Sequence, residues 1–213
     1  MIGIFGGTFD PVHLGHLRTA LDVFEGLGLT ELRLVPLGQA VHRKPPRFSA
    51  EARLAMLREA VADQPGFVVD DRELRSAEPS YTVTTLESFR AERGERIPLC
   101  LLMGRDAFAA FHTWHRPARI LELAHLVVME RPGEPLFLAP PLEALVGGRI
   151  TAEKGDLARS PAGRVIFQPV TQLAISSTDI RRRLDEGRSL RWLVPEEVEG
   201  RLKSMKMPSH PQA

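Results

Sequence analysis

The feature that most constrains the fold is an alternation of strand-like and helix-like patterns that begins at the first residues. Residues 2–5 form a short apolar run that ends at Gly6 and Gly7, and the next apolar residues recur with the spacing of one helix face. A second strand pattern follows at residues 31–36. Strands that alternate with helices pair in parallel through right-handed crossovers. The sequence therefore predicts an α/β fold with a doubly wound, mostly parallel sheet.

Four further apolar runs predict strands, and helix patterns separate them. The runs lie at residues 67–70, 98–103, 125–129 and 164–167. Near the end of the chain, two more helices are predicted at residues 176–187 and 195–205, the second beginning at a proline. Six strands with intervening helices fit one doubly wound sheet.

Residues 131–162 break this pattern. They are rich in Pro and Gly and show little hydrophobic periodicity, so we expect a surface excursion rather than a second domain. The chain is predicted to form one domain over residues 1–207, of which about 176–207 make a C-terminal helical part. Residues 208–213 are expected to be a flexible tail.

Composition excludes several classes of protein. With 28 Lys plus Arg against 27 Asp plus Glu, the net charge of +1 gives no long-range field for a nucleic acid. No apolar run approaches the roughly 18 residues that span a bilayer, and no signal peptide is recognisable, so we expect no membrane contact and a cytoplasmic location. The single Cys100 excludes an intramolecular disulfide, and its apolar neighbours predict a core position.

The turn after the first strand is the expected ligand site, because doubly wound sheets bind ligands at the carboxyl ends of their strands. This turn reads GGTFDPVHLGH over residues 6–16. It lacks the spacing G-x-G-x-x-G of dinucleotide-binding dehydrogenases and the Gly-Lys-Ser/Thr ending of a P-loop. A hydride-transfer enzyme is therefore a poor interpretation.

His13 and His16 stand three residues apart where the first helix begins. In one interpretation both imidazoles donate hydrogen bonds to a triphosphate, with Gly15 leaving room for the phosphate chain. In the other, His13 and Asp10 cap the helix and His16 is a partly exposed surface residue. A zinc site is disfavoured because no Cys or third ligand lies nearby, so no protein-held metal is expected.

A second anion-binding pattern lies near the end of the chain. Ser176 and Asp179 have the spacing of a capping box that opens a basic helix. Thr178 and Arg181 share one face of that helix, so the same segment is also a candidate anion pocket. Arg182 and Arg183 point away from this face, and we expect them to be solvated or to contact another subunit.

Three short motifs in the middle of the chain each have a structural interpretation. Ser80 or Thr82 can cap a helix, Asp106 in Gly104-Arg105-Asp106 can cap the next helix, and Trp114 in Thr113-Trp114-His115 can cover the core. Taken one by one, none of these motifs identifies a function.

The run GGTFDPVHLGHL at residues 6–17 resembles the signature of the nucleotidylyltransferase superfamily. SSTDIR at residues 176–181 resembles a second motif of that superfamily, which grips a triphosphate from the side opposite the histidines. With the three middle motifs in the same order, the chain resembles the bacterial nicotinate mononucleotide adenylyltransferases. The resemblance runs from residue 2 to about residue 198 and implies a Rossmann-like nucleotidylyltransferase fold with a short C-terminal helical segment.

The resemblance also implies roles for particular residues. His13, His16 and Arg181 are implied as catalytic. The implied ATP-binding residues are Gly6, Gly7, Thr8, Phe9, His13, His16, Gly104, Asp106, Ser176, Thr178 and Arg181. The implied residues around the pyridine nucleotide and its phosphate are His42, Arg43, Lys44, Thr82, Trp114 and His115.

One loop departs from the family pattern. The family normally has Pro-Pro-His-Lys/Arg after the second strand, whereas this chain has Ala40-Val41-His42-Arg43 followed by Lys44. The cationic pair His42 and Arg43 is kept, and we call residues 40–44 the cationic loop. Loss of the two prolines is expected to make the loop less rigid.

The implied reaction is attack of the 5′-phosphate of nicotinate mononucleotide on the α-phosphorus of ATP, which gives deamido-NAD and pyrophosphate in NAD biosynthesis. Mg²⁺ is implied as the companion of ATP, with few or no protein ligands. Three alternatives stay open: nicotinamide mononucleotide as the acceptor, cytidylyl transfer, and a non-catalytic sensor of a pyridine dinucleotide. His13, His16 and Arg181 favour an enzyme over a sensor, and a homo-oligomer stays open.

Overall fold

A computed structural model describes residues 1–39, 45–130 and 138–206. Their strands form one six-stranded sheet in the order β3-β2-β1-β4-β5-β6, and every neighbouring pair is parallel. This is the doubly wound α/β sheet that the sequence predicts. The strands are β1 (Ile2–Gly7), β2 (Glu31–Pro36), β3 (Phe67–Val69), β4 (Leu99–Gly104), β5 (His125–Glu130) and β6 (Val165–Pro169).

Ten α-helices lie within the described residues and connect or flank these strands. They are α1 (Leu14–Leu27), α2 (Ala50–Val61), α3 (Arg72–Arg75), α4 (Thr82–Arg93), α5 (Arg105–Ala109), α6 (Pro117–Leu123), α7 (Pro140–Val146), α8 (Gly155–Arg159), α9 (Ser177–Asp185) and α10 (Glu196–Lys206). The predicted strand ends, and those of α9 and α10, agree with the structure to within two residues.

The sheet separates two apolar layers, because successive side chains of a strand point to opposite faces. In β4, Cys100 and Leu102 pack toward α1, α2, α9 and α10, whereas Leu99 and Leu101 pack toward α4, α6 and α7. Cys100 is fully buried, as predicted, and burial raises the pKa of its thiol to about 12. The central strand therefore supports helices on both sides.

The prediction of a surface excursion at residues 131–162 is wrong for the part that the structure describes, residues 138–162. This part contains α7 and α8, and the side chains of Leu142, Val146 and Leu157 are at most 1% exposed. Its helices span only seven and five residues, which is too short for a clear hydrophobic period. Among the described residues, no helix is long and apolar enough to cross a membrane.

Candidate functional site

The two inner strands of the sheet, β1 and β4, end side by side where the strand order reverses. Their last residues include Gly6, Gly7 and Gly104, and the space that a Cβ would occupy at Gly6 or Gly104 holds no atom within 4 Å. Ligands of doubly wound sheets bind in the crevice at such a reversal. The structure thus brings the first turn and the Gly104 motif to one edge.

His13 caps helix α1. Its Nδ1 accepts a hydrogen bond from the backbone N–H of His16 over 3.3 Å. With Nδ1 acting as acceptor, the neutral ring carries its proton on Nε2 and can donate it to a ligand. The capping interpretation of His13 is therefore confirmed, and it leaves a donor for a phosphate.

The ring of His16 is packed rather than exposed. It stacks on the His13 ring with centroids 3.6 Å apart and meets the edge of Phe9 at 5.2 Å. Its Nδ1 is buried and has no hydrogen-bond partner within the described residues. His16 as a whole residue is half-buried, in keeping with the alternative of a partly exposed residue, but its ring packs against His13 and Phe9.

Both imidazoles are neutral near pH 7. Burial lowers the pKa of His13 from 6.5 to about 4. Burial, together with the repulsion of a charged His13, lowers the pKa of His16 to about 3. The histidines can therefore offer N–H donors to an anion, while positive charge has to come from other side chains.

Gly15 makes room for a neighbouring side chain. A Cβ at this position would lie 3.0 Å from Nδ1 of His13, so the glycine lets the His13 ring approach the backbone. Phe9 is 1% exposed with a φ of 47°, so its side chain belongs to the core and only its backbone can face a ligand.

Asp10 links the first turn to the chain after β2. Its two carboxylate oxygens accept from the backbone N–H groups of Arg47 and Phe48, each over 2.9 Å. Asp10 does not cap α1, as one interpretation had it. It holds the backbone of Arg47 and Phe48 against the first turn, which is a structural role.

Arg181 joins helix α9 to the same turn. Its Nη1 donates to the backbone carbonyl of Asp10 over 2.6 Å, and its Nη2 donates to Thr178 Oγ1 over 3.1 Å. Ser176 caps α9 by accepting from Asp179 N–H over 3.1 Å, as predicted. The second motif therefore lies directly beside the first, and Ser176 and Thr178 remain exposed at its edge.

The other two arginines of α9 turn away from this contact, as predicted. Both Arg182 and Arg183 pair with Asp179 on their own helix, and 57% of the Arg182 side chain is exposed. Arg181 thus differs from its neighbours in its contacts.

A cavity of about 610 Å³ opens next to the first turn. We call it the edge cavity. Its lining includes Gly6, Gly7 and Thr8 of the first turn together with Thr82, Trp114 and His115. Trp114 packs edge-on against buried Phe111 with centroids 5.6 Å apart. The structure therefore brings the first turn and two of the middle motifs to one cavity.

The sequence interpretation missed several residues of this edge. Glu73, Ser80 and Tyr81 line the edge cavity, and Tyr81 lies against His115 with ring centroids 4.5 Å apart. Buried Arg53 donates to the carbonyl groups of Thr8 and Leu37 and so ties the ends of β1 and β2 together. Ser80 and Tyr81 lie next to Thr82, in a stretch that the sequence analysis had singled out. Glu73 lies in α3, a helix of only four residues, which is too short to show a hydrophobic period in the sequence.

Two predicted caps are wrong. Neither Ser80 nor Thr82 caps α4, since Tyr81 occupies the cap position without a side-chain bond. Gly104 rather than Asp106 precedes α5, and Asp106 is an exposed residue of its first turn. Helix starts without a side-chain cap leave N–H groups free for a ligand.

Three predicted residues, His42, Arg43 and Lys44, lie outside the described residues, as does the predicted tail. Within residues 1–39, 45–130 and 138–206, no group of three or more His, Cys, Asp or Glu side chains is arranged to hold a metal ion.

A family model described as cytidylyltransferase-like matches residues 4–183. A Methylococcus capsulatus protein named "Probable nicotinate-nucleotide adenylyltransferase" is 51% identical over 199 residues, 93% of this chain and 94% of that protein. A Halorhodospira halophila protein of the same name is 46% identical over 211 residues, 99% and 96% of the two chains. The solved structure "Plasmodium falciparum nicotinic acid mononucleotide adenylyltransferase complexed with NaAD" aligns over 97% and 96% of the chains, with a TM-score of 0.69 and 15% identity, and is similar in fold.

Proposed function

This chain belongs to the cytidylyltransferase-like family, among the nicotinate-nucleotide adenylyltransferases, and from that premise we propose that it transfers the adenylyl group of ATP to nicotinate mononucleotide. The products are deamido-NAD and pyrophosphate. The observation that carries the proposal is the contact of Arg181 with the carbonyl of Asp10, because it joins the second phosphate motif to the first turn, whose Gly6, Gly7 and Thr8 line a cavity with Trp114.

On the ATP side, neutral hydrogen-bond donors and one cationic side chain contact the triphosphate. The N–H groups of His13 and His16 and the hydroxyl of Thr178 donate to the triphosphate, and the Arg181 guanidinium supplies positive charge. Arg181 reaches Thr178 already, so both groups face one region. Fixed donors of this kind stabilise the charge that develops on the α-phosphate and the leaving pyrophosphate.

The remaining residues of the ATP site lie at the same edge. Ser176 sits beside Thr178, and the backbone of Gly6 through Phe9 borders the crevice. Gly104 and Asp106 stand at the end of β4, where the open space at Gly104 admits a nucleotide. We assign all of these to ATP binding.

On the acceptor side, Trp114 stacks on the pyridine ring, while Thr82 and His115 donate to its carboxylate. His42, Arg43 and Lys44 are proposed to receive the 5′-phosphate. That phosphate is already anionic and attacks the α-phosphorus directly, so no nucleophilic side chain is needed. The task of the protein is to hold two polyanions in line, which makes positioning the main source of catalysis.

Mg²⁺ is proposed to arrive with ATP. We propose that phosphate oxygens, rather than protein side chains, bind the ion. The Asp10 carboxylate already accepts two backbone N–H groups, and within the described residues no group of three or more His, Cys, Asp or Glu side chains is arranged to hold a metal ion. When bound, the ion neutralises charge on the phosphates. We also propose that residues 1–207 form one domain and that the enzyme works in the cytoplasm.

The test is a panel of substrates with the purified chain and Mg²⁺. ATP or CTP is combined with nicotinate mononucleotide or nicotinamide mononucleotide, and the products are identified by mass. The proposal expects deamido-NAD and pyrophosphate from ATP and the nicotinate substrate. Absence of any dinucleotide would support a non-catalytic sensor, whereas a preference for CTP or for the amide would identify another transferase.

A further inference from the structure

Glu73 is an acidic residue that lines the edge cavity, and none of the roles proposed above uses it. Its Oε1 accepts a hydrogen bond from Thr85 Oγ1 over 2.6 Å. Thr85 is buried and lies one turn after Thr82 in α4, so the carboxylate lies against the helix face that also carries Thr82. The carboxylate is thus held next to the proposed acceptor site.

The short helix α3 that carries Glu73 is firmly anchored. The neighbouring Arg72 donates to Asp70 over 2.7 and 2.8 Å and to Glu92 over 2.7 Å. Its guanidinium also lies 3.4 Å from the ring centroid of buried Phe89. Arg72 therefore fixes the backbone from which Glu73 projects.

The wall beside Glu73 is close-packed and polar. A Cβ at Gly38 would lie 2.2 Å from the Glu73 carbonyl oxygen and 2.9 Å from Ser80 Oγ, so only glycine fits there. Ser80 Oγ is buried and, within the described residues, has no hydrogen-bond partner. Ser80 and Glu73 both line the edge cavity, so the cavity wall near Gly38 offers a hydroxyl without a partner among the described residues and a residue with a carboxylate.

The chemistry of the acceptor limits what can face this carboxylate. The two ends of nicotinate mononucleotide, its carboxylate and its phosphate, are both anionic and would be repelled. Only the ribose hydroxyls between them can donate a hydrogen bond. We infer that Glu73 accepts a hydrogen bond from a ribose hydroxyl of the mononucleotide, an inference that rests on the proposed function.

A competing interpretation assigns the charge of Glu73 to the positively charged pyridinium ring. The two differ in which part of the substrate matters. A hydrogen bond to ribose is lost when the hydroxyl is removed, whereas attraction to the ring is not. The two interpretations also differ in the expected effect of Glu73→Gln. The amide oxygen of glutamine still accepts a hydrogen bond from ribose, but it carries no charge to attract the pyridinium ring.

The experiment measures kcat and KM for nicotinate mononucleotide and for its 2′-deoxy and 3′-deoxy analogues. The enzymes are the full-length wild type, Glu73→Ala and Glu73→Gln. Glu78→Ala is the matched control, because it removes the same charge from an exposed position of the same segment. Melting temperatures and the KM for ATP show whether each variant keeps its fold and its ATP site.

We expect Glu73→Ala to raise the KM for the mononucleotide about 10- to 100-fold and to leave the KM for ATP within about threefold. One deoxy analogue should be poor for the wild type, and Glu73→Ala should no longer distinguish it from the ribose substrate. Glu73→Gln should keep part of that discrimination. Glu78→Ala should behave like the wild type.

Two outcomes overturn the inference. If the wild type distinguishes neither deoxy analogue, or if Glu73→Ala distinguishes them as the wild type does, Glu73 does not bind ribose. If Glu73→Ala and Glu73→Gln raise the KM for the mononucleotide equally, and both still distinguish the ribose from the deoxy substrates, Glu73 acts on the pyridinium ring. A wild type inactive on every mononucleotide contradicts the proposed function instead, so the two failures are distinguishable.

Discussion

Arg181 donates a 2.6 Å hydrogen bond to the backbone carbonyl of Asp10, a residue 171 positions earlier in the chain. The same Asp10 holds the backbone of Arg47 and Phe48 through its carboxylate. Three segments that are far apart in sequence therefore meet at one residue. This junction connects the first turn, the residues after the cationic loop and helix α9.

His16→Ala tests the proposed triphosphate contact. We expect kcat to fall about 10²- to 10³-fold, because one fixed donor to the developing charge is lost. The ring packs on His13 and Phe9, so a stability loss of about 1–2 kcal/mol is also expected. Steady-state kinetics and urea unfolding measure the two effects separately. Turnover within a few-fold of the wild type would remove His16 from the site.

Arg181→Ala and Arg182→Ala form a matched pair on one helix. Arg181 contacts Asp10 and Thr178, whereas Arg182 pairs with Asp179 and is mostly exposed. We expect Arg181→Ala to raise the KM for ATP at least about tenfold, and more than the KM for the mononucleotide. Arg182→Ala should change either KM less than about twofold. Equal effects would mean that α9 acts only as a diffuse basic surface.

Arg47 and Asp185 link the chain after the cationic loop to α9. Arg47 donates to both carboxylate oxygens of Asp185, over 2.7 and 2.8 Å, and pairing with Asp185 raises the pKa of Arg47. We expect Arg47→Ala to raise the KM for ATP about three- to tenfold by loosening α9. A double-mutant cycle with Asp185→Ala should give a coupling energy of up to about 1 kcal/mol, because both side chains are exposed.

Arg201→Ala is the control for this link. It breaks the ion pair of Arg201 with Glu59, which joins α10 to α2. Arg201→Ala should lower the free energy of unfolding about as much as Arg47→Ala does. The KM for ATP should stay at its wild-type value. If Arg201→Ala changes ATP binding as much as Arg47→Ala does, the effect is one of general stability.

The two histidines make stability depend on pH. Their pKa values are lowered to about 4 and about 3 in the folded chain, because burial opposes protonation. Between pH 6.5 and about 4, the unfolded chain binds protons that the folded chain does not, so the free energy of unfolding decreases as the pH falls. Each histidine contributes up to about 1.4 kcal/mol per pH unit in that window and nothing above pH 7.

Urea unfolding at pH 7, 5.5 and 4.5 measures this dependence. His13→Asn keeps a capping side chain and removes one titrating group, so it should show a shallower decrease than the wild type. Carboxylates titrate in both proteins, and the difference between the two curves isolates His13. Parallel curves would mean that the folded His13 ring takes up protons freely.

The nicotinate substrate should be preferred over the amide. Helix α4 begins at Thr82 with no side-chain cap, so N–H groups of its first turn can donate to a carboxylate. The amide would direct its own N–H₂ group at these donors, which costs about 1–3 kcal/mol. We expect kcat/KM to favour the nicotinate substrate by about tenfold or more. Equal values would contradict the assignment of Thr82.

Trp114→Ala separates stacking from acid recognition. Stacking does not distinguish a carboxylate from an amide, so both substrates should weaken by a similar factor, about 10-fold. The ratio of their kcat/KM values should therefore stay unchanged. A change in that ratio would show that the indole takes part in recognising the acid group.

The sequence predicted local structure well where its patterns are periodic. Buried strands such as β4 follow from a short apolar run, and helix α2 begins after Ser49, which accepts from the N–H of Ala52. Helices of four to seven residues, such as α3 and α7, have no period to detect. That is why the helices within residues 138–162 were not predicted and why Glu73 was missed.

By itself, the sequence determined the order of strands and helices, the parallel sheet and the residue types at its carboxyl edge, because these depend on neighbours a few positions apart. Only the tertiary structure decided that Arg181 bonds to Asp10, that the His16 ring is packed, and that Glu73 faces the edge cavity with Trp114. Such contacts join side chains distant in the chain. They depend on how the sheet and its two helix layers bring separate segments together, which no local pattern records.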